Sequence, residues 1–182
     1  MAKIKAFRGW RPLKEKVHLV ASRPYDVLNT EEARKEVEGN PDSFLHVVKP
    51  EIDFSSGHNP YAPEVYEKGK ENFNAAVQTG IFSQDQEDCI YIYRLTMDGQ
   101  SQAGIVAAAA IDDYFNEVIK KHELTRPDKE EDRKKHVRVA EMNAEPVFFA
   151  YPAKESLDMI VEEIVQSEAE YDFEAEEFTY DD

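Results

Sequence analysis

Ile90-Tyr91-Ile92-Tyr93-Arg94-Leu95-Thr96-Met97, with Asp98-Gly99 behind it and Gly104 to Ile111 beyond, is the stretch that decides the fold. β-Branched and aromatic residues dominate its first half, the composition that suits a pleated, half-buried surface. Asp-Gly is a two-residue turn whose backbone matches the twist of a hairpin. Residues 104–111 then return as the second strand, and the alanines Ala107 to Ala110 leave room for a bulky neighbour. The clearest pairing is thus antiparallel. The segments around it mix helix and strand without a strict βαβ rhythm. The expectation is an α+β fold, a mixed and largely antiparallel sheet with flanking helices.

Working outward, strands are expected at Ile4 to Phe7, Val17 to Ala21, Ser43 to Val48 and Pro146 to Tyr151. Asn29 and Glu32 have the spacing of a capping box and open a short helix. Residues 50–63 carry three prolines and read as a surface loop. A helix is expected from Glu64 to Thr79, with Gly80 as its C-terminal cap. Asp112 to Lys121 and Lys129 to Met142 follow as further helices. Leu157, Ile160, Val161, Ile164 and Val165 repeat at helical spacing across Ser156 to Ser167. Residues 1–167 are read as one α+β domain. Residues 168–182 are an acidic tail, or a final strand through Tyr171, Phe173, Phe178 and Tyr180 that frays at its end. An aromatic strand pattern with nothing after it to pair with is expected either to fold back or to belong to the front part of a longer protein.

The 182 residues carry 38 acidic and 22 basic side chains, a net charge of -16. Twelve of the acidic residues fall in 155–182, which holds no basic one, so residues before the tail are only mildly acidic. Duplex DNA binding needs a clustered basic surface, and this balance disfavours it. One cysteine, Cys89, rules out a disulfide scaffold and a cysteine-rich zinc site. No apolar run approaches the ~20 residues of a membrane span, and no signal sequence is visible. The expected location is cytoplasmic, with no membrane partner.

The chemistry is concentrated in Lys120-Lys121-His122-Glu123-Leu124-Thr125-Arg126-Pro127-Asp128-Lys129-Glu130-Glu131-Asp132-Arg133, where ten of fourteen residues are charged. Pro127 suits the first turn of a helix, and Asp128 with Glu131 has capping-box spacing. Lys129, Asp132, Arg133 and His136 share one helix face. Glu130 with Lys134, and Glu131 with Lys135, are spaced for i,i+4 ion pairs. One reading is a solvated helix laced with such pairs. The other is an anion-binding helix start, where free N–H groups and the helix dipole meet Arg126, Lys129 and Arg133. Glu123, Glu130 or Asp132 would then serve as a base, with Glu123 or Asp132 as a ligand for Mg²⁺. His122-Glu123 is not a zinc motif, because position 126 is arginine. Pro24-Tyr25-Asp26-Val27 is a further candidate: it lies where a strand gives way to a capped helix, a common place for functional loops.

The segments MAKIKAFR at 1–8, RPYDV at 23–27, NPDSFLHVVKPEID at 40–53, VYEKGKENF at 65–73, YIYRLTMDGQSQAGIVAAAAIDDY at 91–114 and IKKHELTRPDKEEDR at 119–133 resemble, in order, a bacterial and archaeal family known as domain of unknown function 1015. Members are about twice this length and carry an Asp-Gly-His-His-Arg motif in their later half. This chain has no adjacent histidines, so the resemblance implies a front portion whose C-terminal half is absent. That motif is similar to one in free-serine kinases built on a ParB-like fold. The similarity implies a small-molecule phosphotransferase, with serine or a similar alcohol as substrate, Mg²⁺, and ATP, ADP or pyrophosphate as donor. In residue terms, Thr125, Arg126, Lys129 and Arg133 would contact phosphate. Glu123 would be the first choice for base or metal contact, with Glu130 and Asp132 next, and His122, Tyr25 and Asp26 as further candidates. The alternative is a non-catalytic nucleotide- or anion-binding regulatory module. A third option is that the charged helix is a scaffold for a site elsewhere.

Overall fold

The computed structural model describes residues 2–122 and 125–174. In chain order the elements are β1 (Ile4–Lys5), β2 (Trp10–Pro12), a 3-10 turn (Lys14–Lys16), α1 (Val17–Val20), α2 (Thr30–Glu36), α3 (Leu45–Val48), a 3-10 turn (Pro50–Asp53), α4 (Pro63–Gln78), β3 (Phe82–Gln84), β4 (Tyr91–Met97), β5 (Gln100–Val106), β6 (Ala108–Ala109), α5 (Ile111–Phe115), α6 (Pro127–Ala140) and α7 (Glu155–Val165). This is an α+β protein. Its strands form two-stranded ribbons, β1 with β6, β2 with β3 and β4 with β5, rather than one continuous sheet. Among the described residues no helix is long and apolar enough to cross a membrane.

The chain divides into two compact units. Among the described residues the first comprises 2–11, 84–122 and 146–170. Its centre is the expected hairpin: Tyr91 lies opposite Val106, and the register runs without a slip to Met97 opposite Gln100. Asp98 takes φ 51° and Gly99 φ 72°, the left-handed pair that the turn requires. α7 packs against both hairpin strands. The alanine run does not continue the hairpin: Ala108 and Ala109 turn away to pair with Lys5 and Ile4. Tyr91 anchors the N-terminal segment. Its ring meets Phe7 edge-on at 5.2 Å, and its hydroxyl accepts the Gly9 N–H (2.8 Å) and donates to Asp85 (2.5 Å). Arg11 clamps the same carboxylate.

Among the described residues the second unit comprises 12–83, 125–145 and 171–174. Its core gathers Leu28, Ala33, Leu45, Val48 and Ile52. Asn29 caps α2 as expected: its side chain accepts from the N–H groups of Glu31 and Glu32, and Glu32 reaches back to the Asn29 N–H. Arg34 on α2 donates to the carbonyls of Glu51, Ile52 and Phe54, tying that helix to the 3-10 turn. α4 fits the expected helix, and Gly80 follows it at φ 79°. Within α4, Gly69 permits close approach to α3, since a Cβ there would lie 2.7 Å from the Val47 carbonyl oxygen.

Three expected strands are not strands. Residues 17–20 and 45–48 form single helical turns. Runs this short have no period that separates helix from strand, and tertiary contacts decide. In the second run Leu45, Val47 and Val48 are all buried, which a strand with one wet face would not achieve. Residues 146–151 carry no assigned strand, and Val147 and Phe148 are 74% and 80% exposed. Residues 171–174 are also not a strand, although Tyr171 donates its hydroxyl to the Pro12 carbonyl (2.7 Å). Phe178 and Tyr180 lie outside the described residues.

Candidate functional site

α6 starts two residues earlier than the Asp128–Glu131 box implied. Pro127 occupies the first helical position, Arg126 is the N-cap, and no side chain caps the helix. Proline fixes that register because its preset φ fits the first turn, where the missing N–H has no cost. Asp128 therefore sits inside the first turn, where it suits the helix dipole. It also pairs with Arg126 at 2.6 Å, both side chains lying largely in solvent. Thr125 donates to Glu130 (3.2 Å), and Glu130 pairs with Lys134 (2.5 Å), the expected i,i+4 bridge. The two contacts hold the Glu130 carboxyl below the usual glutamate range. Thr125, Arg126, Lys129 and Glu130 are thus all exposed, as is His122. Glu123 lies outside the described residues.

Asp132 is buried and Arg133 half-buried. Asp132, His136 and Ala140, four residues apart in succession, form the buried stripe of α6. This stripe is polar, so each group needs a partner. Asp132 Oδ1 accepts the Tyr66 hydroxyl from α4 at 2.8 Å. Its Oδ2 accepts both Nε (3.1 Å) and Nη2 (2.8 Å) of Arg133. Burial and the Asp132 bond together push the Tyr66 hydroxyl well above the normal phenol range. His136 Nε2 lies 2.9 Å from the Val47 carbonyl, which only an N–H can satisfy, so the ring is protonated at Nε2.

Arg133 joins the two segments singled out separately by sequence. Its guanidinium lies 3.9 Å from the centre of the Tyr25 ring, a cation–π contact. Nη1 reaches Glu145 (3.3 Å) and the Val48 carbonyl (3.5 Å). Burial alone would weaken the Arg133 charge, but Asp132 more than offsets it and the pKa moves up. Glu145 also accepts the Tyr25 N–H at 3.5 Å. Burial raises the Glu145 pKa, and Arg133 offsets only part of that rise. Lys49 donates to the Tyr25 carbonyl (3.3 Å) and pairs with Glu51 (3.1 Å). Asp26 is exposed beside them in sequence. The structure therefore brings Tyr25, Asp132 and Arg133 together and leaves Thr125, Arg126, Lys129 and Glu130 on the open helix surface. Glu145 was missed by the sequence reading, because it lies in an irregular segment past α6 with no local motif to mark it.

This cluster offers a proton-active carboxyl, a fixed cation and an aromatic platform. Among the described residues no group of three or more histidine, cysteine, aspartate or glutamate side chains is arranged to hold a metal ion. Asp132 has both oxygens engaged, Oδ1 by the Tyr66 hydroxyl and Oδ2 by Arg133.

His136 yields a pH prediction. Burial holds its pKa below the ordinary 6.5. The unfolded chain then takes up a proton before the native one does, so native stability falls as pH drops from about 6.5 toward the depressed value. In His136→Gln that part of the acid-side loss should vanish, as read from urea midpoints across a pH series.

Residues 4–179 match the family described as protein of unknown function (DUF1015), and the chain belongs to that family. No curated protein and no solved structure matches it.

Proposed function

We propose that the Tyr25–Arg133–Glu145 cluster is the hydroxyl-activating part of a small-molecule phosphotransferase site, with serine or a similar alcohol as acceptor. The supporting observation is Glu145. Its pKa is raised by burial, its contacts to Tyr25 and Arg133 are long, and its side chain keeps 29% exposure. A carboxylate so held has lone pairs left for a substrate hydroxyl and a proton affinity closer to the working range of a general base. In this reading the alcohol oxygen forms the new P–O bond, the bond to the leaving phosphate breaks, and the alcohol proton passes to Glu145. Arg133 orients the carboxylate, and Asp132 with Tyr66 holds Arg133.

Phosphoryl transfer depends on positioning and charge neutralisation more than on covalent chemistry. Mg²⁺ carried on the phosphates of ATP, ADP or pyrophosphate would supply part of that neutralisation. Arg126 and Lys129, on the exposed first turn of α6, are the cations proposed to meet the donor. A cytoplasmic location goes with these substrates. A further portion of a longer family protein, proposed as a partner, would complete the site.

The test is phosphorus NMR of the protein with serine, Mg²⁺ and each donor in turn. Phosphoserine formation that fails with Glu145→Gln supports the reading. Donor binding without turnover would favour the alternative, a nucleotide- or anion-binding regulatory module. The exposed Arg126 and Lys129 are the observation behind that second reading.

A further inference from the structure

Within the second unit a cleft of about 330 Å³ runs between α3 and α4. Phe44, Val47, Ala76 and Phe82 give it apolar walls, and Ser43, His46, Asn72 and Thr79 contribute polar groups, with Asp42 at the lining paired to Lys16 at 2.8 Å. His46 is held in an oriented pair: Nδ1 lies 2.7 Å from Asp53 Oδ1. Asn72 braces that pair, its amide donating to Asp53 Oδ2 and to the His46 carbonyl, both at 2.7 Å. The other ring nitrogen, Nε2, is buried and has no hydrogen-bond partner among the described residues. Ser43 is 5% exposed, and its oxygen accepts the Leu45 N–H at 3.4 Å, which leaves the hydroxyl proton free to donate.

An oriented histidine with an orphan nitrogen is costly to bury, and each such group calls for an explanation. The hydrogen bond to Asp53 raises the His46 pKa above 6.5, burial notwithstanding, and below that raised value Nε2 carries a proton as well as Nδ1. The cleft then combines two donors, one of them cationic, with an apolar wall. That combination selects a ligand with an acceptor oxygen at one end and a hydrocarbon body. We propose that this cleft binds a small apolar monocarboxylate, whose carboxylate accepts from His46 Nε2–H and Ser43 Oγ–H. The site is separate from the Arg133 cluster and does not depend on it.

The affinity carries a pH signature. The groups that bear on His46 are Asp53, Lys68 and the Asn40 backbone. Asp53 favours the imidazolium and Lys68 opposes it; binding is favoured below the raised pKa and is lost as rising pH removes the Nε2 proton.

Benzoate is the probe, followed through the imidazole nitrogens of ¹⁵N-labelled protein. The expected result is a saturable shift of His46 Nε2 at mildly acidic pH that disappears at alkaline pH. Ala76→Leu, which fills the cleft, should abolish it. Ser43→Ala should weaken binding about tenfold, the loss of one hydrogen bond of roughly 1.4 kcal/mol. Thermal melts of both variants establish that they are folded, and Ala75→Leu on the exposed rim serves if Ala76→Leu is not. No Nε2 shift with benzoate, or the same shift in the folded filled-cleft variant, overturns the proposal.

Discussion

Asp132→Ala should lower the unfolding free energy by about 3 kcal/mol, the lower part of the range for breaking a buried ion pair. Asp132 is 8% exposed and accepts from Tyr66 and doubly from Arg133. Its removal leaves the Arg133 guanidinium without its main counter-charge and the Tyr66 hydroxyl without an acceptor. The lower part of the range applies because the Arg133 side chain is 27% exposed and can recover some water. Replacing both members tests the origin of the loss. Asp132→Leu with Arg133→Met removes the stranded charge along with its partner, and apolar replacements of buried pairs are often neutral or stabilising. The double variant should therefore recover most of the stability lost in Asp132→Ala. Urea unfolding of the three proteins measures this. Equal losses in the single and double variants would mean that packing, not charge, holds α6.

Leu45→Ala should cost about 3 kcal/mol, within the usual span for a buried leucine. Leu45 has no exposed surface and lies at the centre of the cluster of Leu28, Ala33, Val48 and Ile52. The site is poorly able to collapse, since α3 is held to α4 at Gly69 and to α6 through His136. A cavity there persists, and the residual void adds to the lost transfer free energy. A loss near 1 kcal/mol would show that the surrounding turns relax inward. The same variant bears on function: α3 supplies the Val47 and Val48 carbonyls that receive His136 and Arg133.

Much of the fold was legible because its signals are local. Asp98-Gly99 admits few structures between two β-rich runs. Asn29 and Glu32 satisfy each other within one turn, and the apolar stripe of residues 157–165 has a single helical solution. The single turns at 17–20 and 45–48 were not legible, since their burial depends on partners far along the chain. Val20, for example, gives its carbonyl to the Phe44 N–H.

The candidate site was legible in part for the same reason. Charge density marked residues 122–133, and the turn before a capped helix marked Tyr25. Neither signal showed which side of α6 faces inward. A buried stripe of aspartate, histidine and alanine looks polar by composition, so no inward face stood out from the pattern. Asp132 and His136 are inside only because Tyr66 and the Val47 carbonyl meet them. Glu145 had no sequence signal, and only the fold brings it to Arg133.

The most direct test of this account is a carbon-detected titration of the Glu145 carboxyl in the intact chain. The account predicts a midpoint above the ordinary 4.5, because burial outweighs the nearby guanidinium. It further predicts that Arg133→Gln moves the midpoint higher still, by removing the charge that holds it down. A midpoint at or below 4.5 that Arg133→Gln leaves in place would contradict the account, since Glu145 would then be an ordinary solvated carboxylate with no link to Arg133.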